Sequence, residues 1–260
     1  MADKTPGFRR PPISELVCGI AFNRLSAFGA PYVGLLWKEC FRDFPNPESA
    51  PPLLTGATES LSLEELQFPR IWFVAADERT LIQVQNDRLL FNWRKRADDD
   101  EYPRFDTVFS EFKKHFANFS AFVAANRLGI IEAKRFELTY VNHILVGDGW
   151  ETFADIGTLF PDLSWRNLKG RFLPTPELMA WRATFSLPDK MGTLNVSISP
   201  GKRTRDKRDI LQMELTAIGH IGGDADSMSR WFSVAHDWIV FGFADLTSEK
   251  VQAELWQRTA

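Results

Sequence analysis

The chain has 260 residues, 44% of them hydrophobic and 25% charged, with a formal net charge of −3. That balance fits a folded globular protein and excludes wholesale disorder. The small net charge excludes an overall basic field, so any nucleic-acid contact must rest on a local patch.

Residues 1–12 carry prolines at 6, 11 and 12 and read as an extended arm. The arm lacks the apolar core of a signal peptide, and no apolar run is long enough to span a bilayer. The expectation is a cytoplasmic protein without membrane contact. Strand-like residues Ile13 to Asn23 come first. Pro31 to Phe44 follow with Val33, Leu36, Trp37, Cys40 and Phe41 at helical spacing, closed by Pro45 and Pro47. Residues 46–68 read as a long surface connection holding Leu61, Leu63 and Leu66. Arg70 to Ala75, Thr80 to Gln85 and Arg88 to Arg94 then form a β-meander. The next helix is amphipathic, with Phe105, Val108, Phe109, Phe112, Phe116, Phe119 and Phe122 on one stripe and Gly129 as its stop.

From Lys134 the order starts again. Lys134 to Ile144 alternate as a strand, Gly147-Asp148-Gly149 turns, and Trp150 to Leu159 is a short helix. Trp181 to Leu187, Thr193 to Ser199 and Ile210 to Ile218 are strands. A helix capped by Asp226 or Ser227 runs to Phe243, and Ser248 to Arg258 closes the chain. Each pass reads β-α-β-β-β-α, so residues 13–130 and 131–260 are expected to be tandem duplicated units. The order suits an α+β fold with an antiparallel sheet and helices on one face. It resembles TATA-box-binding-protein-like or helix-grip folds. The alternative parse is paired ferredoxin-like units.

Pro11-Pro12-Ile13-Ser14-Glu15-Leu16-Val17 resembles the opening of a sporadically distributed bacterial family of conserved hypothetical proteins. Leu81-Ile82-Gln83-Val84-Gln85, Phe91-Asn92-Trp93-Arg94, Tyr102-Pro103 and the block from Phe136 to Ile144, with Tyr140 and Asn142, extend the resemblance. It is good over the first half of the chain and thin beyond. It implies a bacterial source and carries across no reaction and no functional residues.

Candidate chemistry is sparse. Cys18 and Cys40 lack Cys-x-x-Cys spacing, which argues against a disulfide framework or a cysteine zinc site. Asn92, Trp93, Arg94 and Arg96 offer either a stacking and anion-binding group or a core indole with ion-paired arginines. Asp98-Asp99-Asp100-Glu101 reads as a solvated acidic loop. His143 and His220, with Asp237, are the only acid–base grouping worth locating, and His115 and His236 read as structural. No nucleophile elbow or phosphate loop is present. No catalytic residue, metal site or cofactor is therefore assigned, and enzymatic activity is left open.

Two binding surfaces remain. Lys202, Arg203, Arg205, Lys207 and Arg208 form a basic hairpin suited to a polyanion such as nucleic acid, with Arg9 and Arg10 in support. Among 9 Trp and 22 Phe, the residues Trp231, Phe232, Trp238, Phe241 and Phe243 nearly encircle their helix, which demands cover. An interface through Trp231, Phe232, Trp238 and Trp256 follows, to a protein partner or a second copy. The leading expectation is a non-catalytic binding or assembly module. The alternative is a nucleic-acid-associated protein using the hairpin, with phage defence the setting that the family's sporadic distribution suggests.

Overall fold

The computed structural model describes residues 5–53, 69–165, 169–220 and 227–259, without the side chain of His220. Leu61, Leu63, Leu66 and Asp226 fall outside the described residues. The protein is α+β. The strands are β1 (Ile13–Phe22), β2 (Asn46–Ala50), β3 (Arg70–Val74), β4 (Thr80–Gln85), β5 (Arg88–Arg94), β6 (Ala133–Leu145), β7 (Trp181–Ser186), β8 (Thr193–Lys202) and β9 (Asp209–His220). They hydrogen-bond in the order β2-β3-β4-β5-β1-β6-β9-β8-β7 as an antiparallel sheet. Among the described residues there are five α-helices: α1 (Ala30–Cys40), α2 (Phe105–Ala125), α3 (Ile156–Leu159), α4 (Ser227–Leu246) and α5 (Glu249–Glu254). Two compact units emerge: residues 15–138 with 219–225 (the N-terminal unit), and residues 1–14, 139–218 and 226–260 (the C-terminal unit).

In the N-terminal unit the strand register sorts side chains by face. Leu16, Cys18 and Ile20 stand opposite Trp93, Phe91 and Leu89. These in turn oppose Thr80, Ile82 and Val84, and Ile82 opposes Phe73. This apolar face meets α2, whose Phe119 ring lies 5.8 Å from both Phe22 and Phe28. Each fully buried ring contributes roughly 1.5–3 kcal/mol by leaving water. Cys18 is part of this core, and burial raises its thiol pKa well above the usual value. Both cysteines are free.

Two local outcomes differ from expectation. Asn46–Ala50, read as connection, pairs along β3 as a strand despite Pro47. A proline lacks only its own N–H, and an edge strand can leave that side unpaired. The α2 helix ends at Ala125, before Gly129. Arg127 takes the left-handed turn at φ 55°, and the Leu128 N–H reaches back to the Val123 carbonyl. Its neighbour Asn126 caps with a side-chain amide to Phe122 O, so termination needs no glycine.

The C-terminal unit repeats the sorting. Leu194, Val196 and Ile198 of β8 oppose Ala217, Leu215 and Met213 of β9, and α4 covers that face. The N-terminal arm is extended and packed: Phe8 bridges to Arg258, and its ring meets Phe243 edge-on at 5.4 Å. Gln252 of α5 is fully buried and fully used. Its Nε2 donates to Ala244 O and Thr247 O, and its Oε1 accepts from Arg258. The stretch from Trp150 to Leu159 is a 3-10 turn, Phe153–Asp155, leading into α3. Thr152 and Asp155 cap that turn reciprocally.

His115 on α2 sets a pH limit on this core. Phe41, Phe44 and Phe91 surround it at centroid distances of 5.9, 5.2 and 5.2 Å. Burial, opposed only partly by Glu111, lowers its pKa from 6.5 to about 4. The unfolded chain binds this proton near pH 6.5 and the folded chain only near 4, so protonation favours unfolding. Stability is therefore expected to be complete above pH 6.5 and to fall by an amount of order 3 kcal/mol as pH drops through that window. Urea unfolding at pH 7.5, 5.5 and 4.5 checks this. His115→Phe should flatten the curve, and an equally steep curve in that variant would refute the assignment.

Candidate functional site

The faces turned away from the helices carry the polar chemistry. In the C-terminal unit, Arg182 and Thr184 of β7 stand opposite Ser197 and Asn195 of β8. Ser197, Asn195 and Ser199 stand opposite Glu214, Thr216 and Gln212 of β9. Hydroxyls and amides engage one another across the strands. Thr184 Oγ1 donates to Asn195 Oδ1 at 2.9 Å, and Thr139 and Thr216 share a 3.0 Å contact. This is a hydroxyl- and amide-rich surface carrying both charges.

The basic hairpin adjoins that surface. Arg203 N–H bonds to Arg208 O and closes the turn, with Lys207 in the left-handed region at φ 60°. Lys202 and Arg203 are engaged locally. Lys202 Nζ lies 2.6 Å from Asp209, and Arg203 forks onto Asp206. The Arg203 fork, with the Arg208 N–H in support, holds the Asp206 carboxyl well below its usual range. Lys207 and Arg208 make no ion pair among the described residues. Arg203 and Arg205 reach electrostatically to His143, whose pKa is lowered first by burial and then by these cations, with Gln212 opposing. His143 N–H also bonds to Pro12 O, two residues from exposed Arg10. Hairpin, histidine and arm thus gather at one end of this unit.

Among the described residues His143 has no acid–base partner. It shares the helix-free face with Thr139, whereas the adjacent Tyr140 points the other way and bonds His236 of α4 at 2.9 Å. Asp237 accepts from Thr5. The side chain of His220 lies outside the described residues.

The aromatic residues singled out by sequence are placed unevenly. Trp231, Phe232 and Trp256 are 2%, 0% and 4% exposed, packed inside the chain's own fold. Trp231 Nε1 donates to Met191 O, and Trp256 lies 5.0 Å from Phe243. Trp238 is half-buried, and Phe241 is exposed. Helix α4 packs on β8 through its buried rings and leaves Trp238 and Phe241 partly open. Besides Phe241, the exposed large apolar residues are Phe172 at 97%, Leu173, Leu178 and, on β7, Phe185, with Ile130 in the N-terminal unit. Phe172, Leu173 and Leu178 follow Pro-rich spacing without periodicity, so no sequence pattern marked them.

In the N-terminal unit the helix-free face holds a relay of side chains across four strands. Arg70 Nη1 donates to Gln83 Oε1 at 3.0 Å, Gln83 Nε2 to Asn92 Oδ1 at 2.7 Å, and Asn92 Nδ2 to Glu15 Oε1 at 2.6 Å. Gln83 and Asn92 are buried. Trp93 points to the opposite, apolar face, so Asn92 and Arg94 do not flank its ring. The aromatic partner of Arg94 is Trp72, two strands away. Asp100 in the acidic loop accepts the Arg96 and Ala97 N–H groups and pairs with Arg79 at 2.8 Å. It is therefore a structural turn anchor.

Removing the middle of the relay strands polar groups on both sides, which costs about 1–3 kcal/mol per unsatisfied buried partner. Asn92→Ala is expected to destabilise by ~2 kcal/mol in urea unfolding, and a change under ~0.5 kcal/mol would show that the relay is dispensable. No family model matches this chain, and no curated protein matches it.

Proposed function

We propose that the protein is a non-catalytic binding module whose working surface in the C-terminal unit is the helix-free sheet face and the basic 202–208 hairpin, and whose ligand is a polyanion such as nucleic acid. The observation that carries this reading is that Arg203 and Arg205, on the hairpin that also carries Lys207 and Arg208, reach His143 next to the polar rows of β8 and β9. Hydroxyls and amides suit sugar and phosphate oxygens, and the arginines supply the salt-sensitive attraction. The recurring order of strands and helices favours a duplicated unit of the TATA-box-binding-protein-like or helix-grip kind. A cytoplasmic setting, and membership of the bacterial family that residues 11–17 and 81–94 resemble, complete the reading. No helix among the described residues is long and apolar enough to cross a membrane.

A second reading, assembly with a protein partner or another copy, is favoured by the exposed Phe172, Leu173, Leu178 and Phe185. Large exposed apolar side chains, where they gather into a patch, mark contact surfaces.

Labelled single-stranded RNA and duplex DNA are the test of the first reading. Binding should weaken steeply with salt, and the triple change Arg205→Ser, Lys207→Ser and Arg208→Ser should cut the log–log salt slope by about 2–3. Wild-type protein that retains neither at low salt would end this reading. Light scattering addresses the second: a monomer at every working concentration removes self-assembly, whereas a dimer lost on Phe172→Ser supports it.

A further inference from the structure

We propose that Arg70, Trp72 and Arg94, on the helix-free face of the N-terminal unit, form a binding subsite for an oxyanion, either a phosphate or a carboxylate group. The site is separate from the hairpin and does not depend on the reading given for it. Both guanidiniums stand over one indole, their carbons 5.3 and 6.0 Å from the Trp72 centroid. Stacking of this kind leaves the N–H edges of an arginine free to bond in its plane.

The neighbouring arginines are all neutralised. Arg88 forks onto Asp87, Arg96 pairs with Glu78, and Arg79 with Asp100. Arg70 and Arg94 make no ion pair among the described residues. Arg70 gives one N–H to Gln83, and Arg94 gives one to the Glu78 carbonyl. Arg70 Nε, Arg94 Nε and Trp72 Nε1 are buried and have no acceptor. Three orphaned donors, one on Trp72 and one on each arginine stacked against it, call for an acceptor-only anion. Burial first, and then Arg88 beside Arg70 and Arg96 beside Arg94, disfavours the charged guanidiniums; Glu15, Glu78 and Glu48 offset this only in part at Arg94, and a bound anion would offset the rest. The carboxylates of the same face favour the Arg94 charge electrostatically but form no ion pair with it among the described residues. Glu15 is held by Asn92, while Glu48, opposite Trp72 on β2, is exposed and outside pairing distance.

The test is a side-chain ¹⁵N NMR titration of the whole protein, first with inorganic phosphate and then with acetate, at constant ionic strength. The expected result is a saturating shift of the Trp72 indole N–H, identified by its loss in Trp72→Phe, together with two arginine Nε–H signals. The anion that saturates at lower concentration identifies the oxyanion. The double variant Arg70→Gln, Arg94→Gln should weaken binding at least tenfold. Glu48→Gln, at an exposed position that leaves folding unaffected, should strengthen it about threefold by removing a competing negative charge. The hairpin triple variant should bind like wild type, which separates failure here from failure of the polyanion reading. Shifts that stay linear with both anions, saturation that survives in the double variant, or no gain in Glu48→Gln would each overturn the proposal.

Discussion

The structure depends on strand alternation that assigns each interior strand one apolar and one polar face. A single-residue slip of β4 against β5 would turn Ile82 and Val84 out of the core and drive Gln83 into it. The apolar face then has one solution, a helix with a matching stripe, and α2 supplies it with Phe112 and Phe119, both wholly buried. Register, core and helix placement in the N-terminal unit are one decision. The same logic fixes α4 over Leu194 and Val196 in the C-terminal unit, where a side chain at Gly242 would come within 3.4 Å of Leu194.

Once the apolar faces are spent on helices, the polar faces are left to hold themselves together. The N-terminal unit does this with amides. Gln83 and Asn92 each use both ends, passing hydrogen bonds in one direction from Arg70 to Glu15. Such a chain is favourable only when every member is satisfied, which is why the orphaned N–H groups beside it stand out. The C-terminal unit uses hydroxyls, which rotate to suit several partners and tie down less. A surface of that kind can exchange its internal contacts for a ligand's at small cost.

Much of this architecture was readable in the chain. Strand limits at Thr80–Gln85 and Arg88–Arg94 follow from alternation, and the α2 stripe from phenylalanines at steps of three and four. What escaped was nonlocal or conformational. Pro47 argued against β2, yet a strand at the sheet's edge tolerates it. Gly129 advertised a helix end that Arg127 provides, because a left-handed residue with a compensating 6→1 hydrogen bond needs no glycine. For the candidate sites, the basic hairpin was visible as composition, while the pairing of Arg203 with Asp206 was not. Of the two readings of Trp93, the core indole with a paired Arg96 is the one found, while Arg94 stacks instead of pairing. Adjacency in a strand means opposite faces, and the ring that meets Arg94 is Trp72, two strands away in a register no local pattern states.

The aromatic load makes the same point about function. Trp231 and Phe232 meet edge-on at 5.1 Å in the core, and Trp256 closes over Phe243. Rings that encircle a helix do require cover, and β8, Trp256 and the N-terminal arm give it to Trp231, Phe232 and Phe243 but leave Trp238 half-buried and Phe241 exposed. Trp231, Phe232 and Trp256 are used to hold helices to the sheet. The groups whose needs the fold leaves unmet are better markers of a binding surface. In the N-terminal unit those are donors without acceptors, and in the C-terminal unit apolar side chains without cover. A folded chain minimises both kinds of debt wherever nothing else is asked of it, so their concentration at Trp72 and at Phe172 is where selection for something other than folding is most economically read.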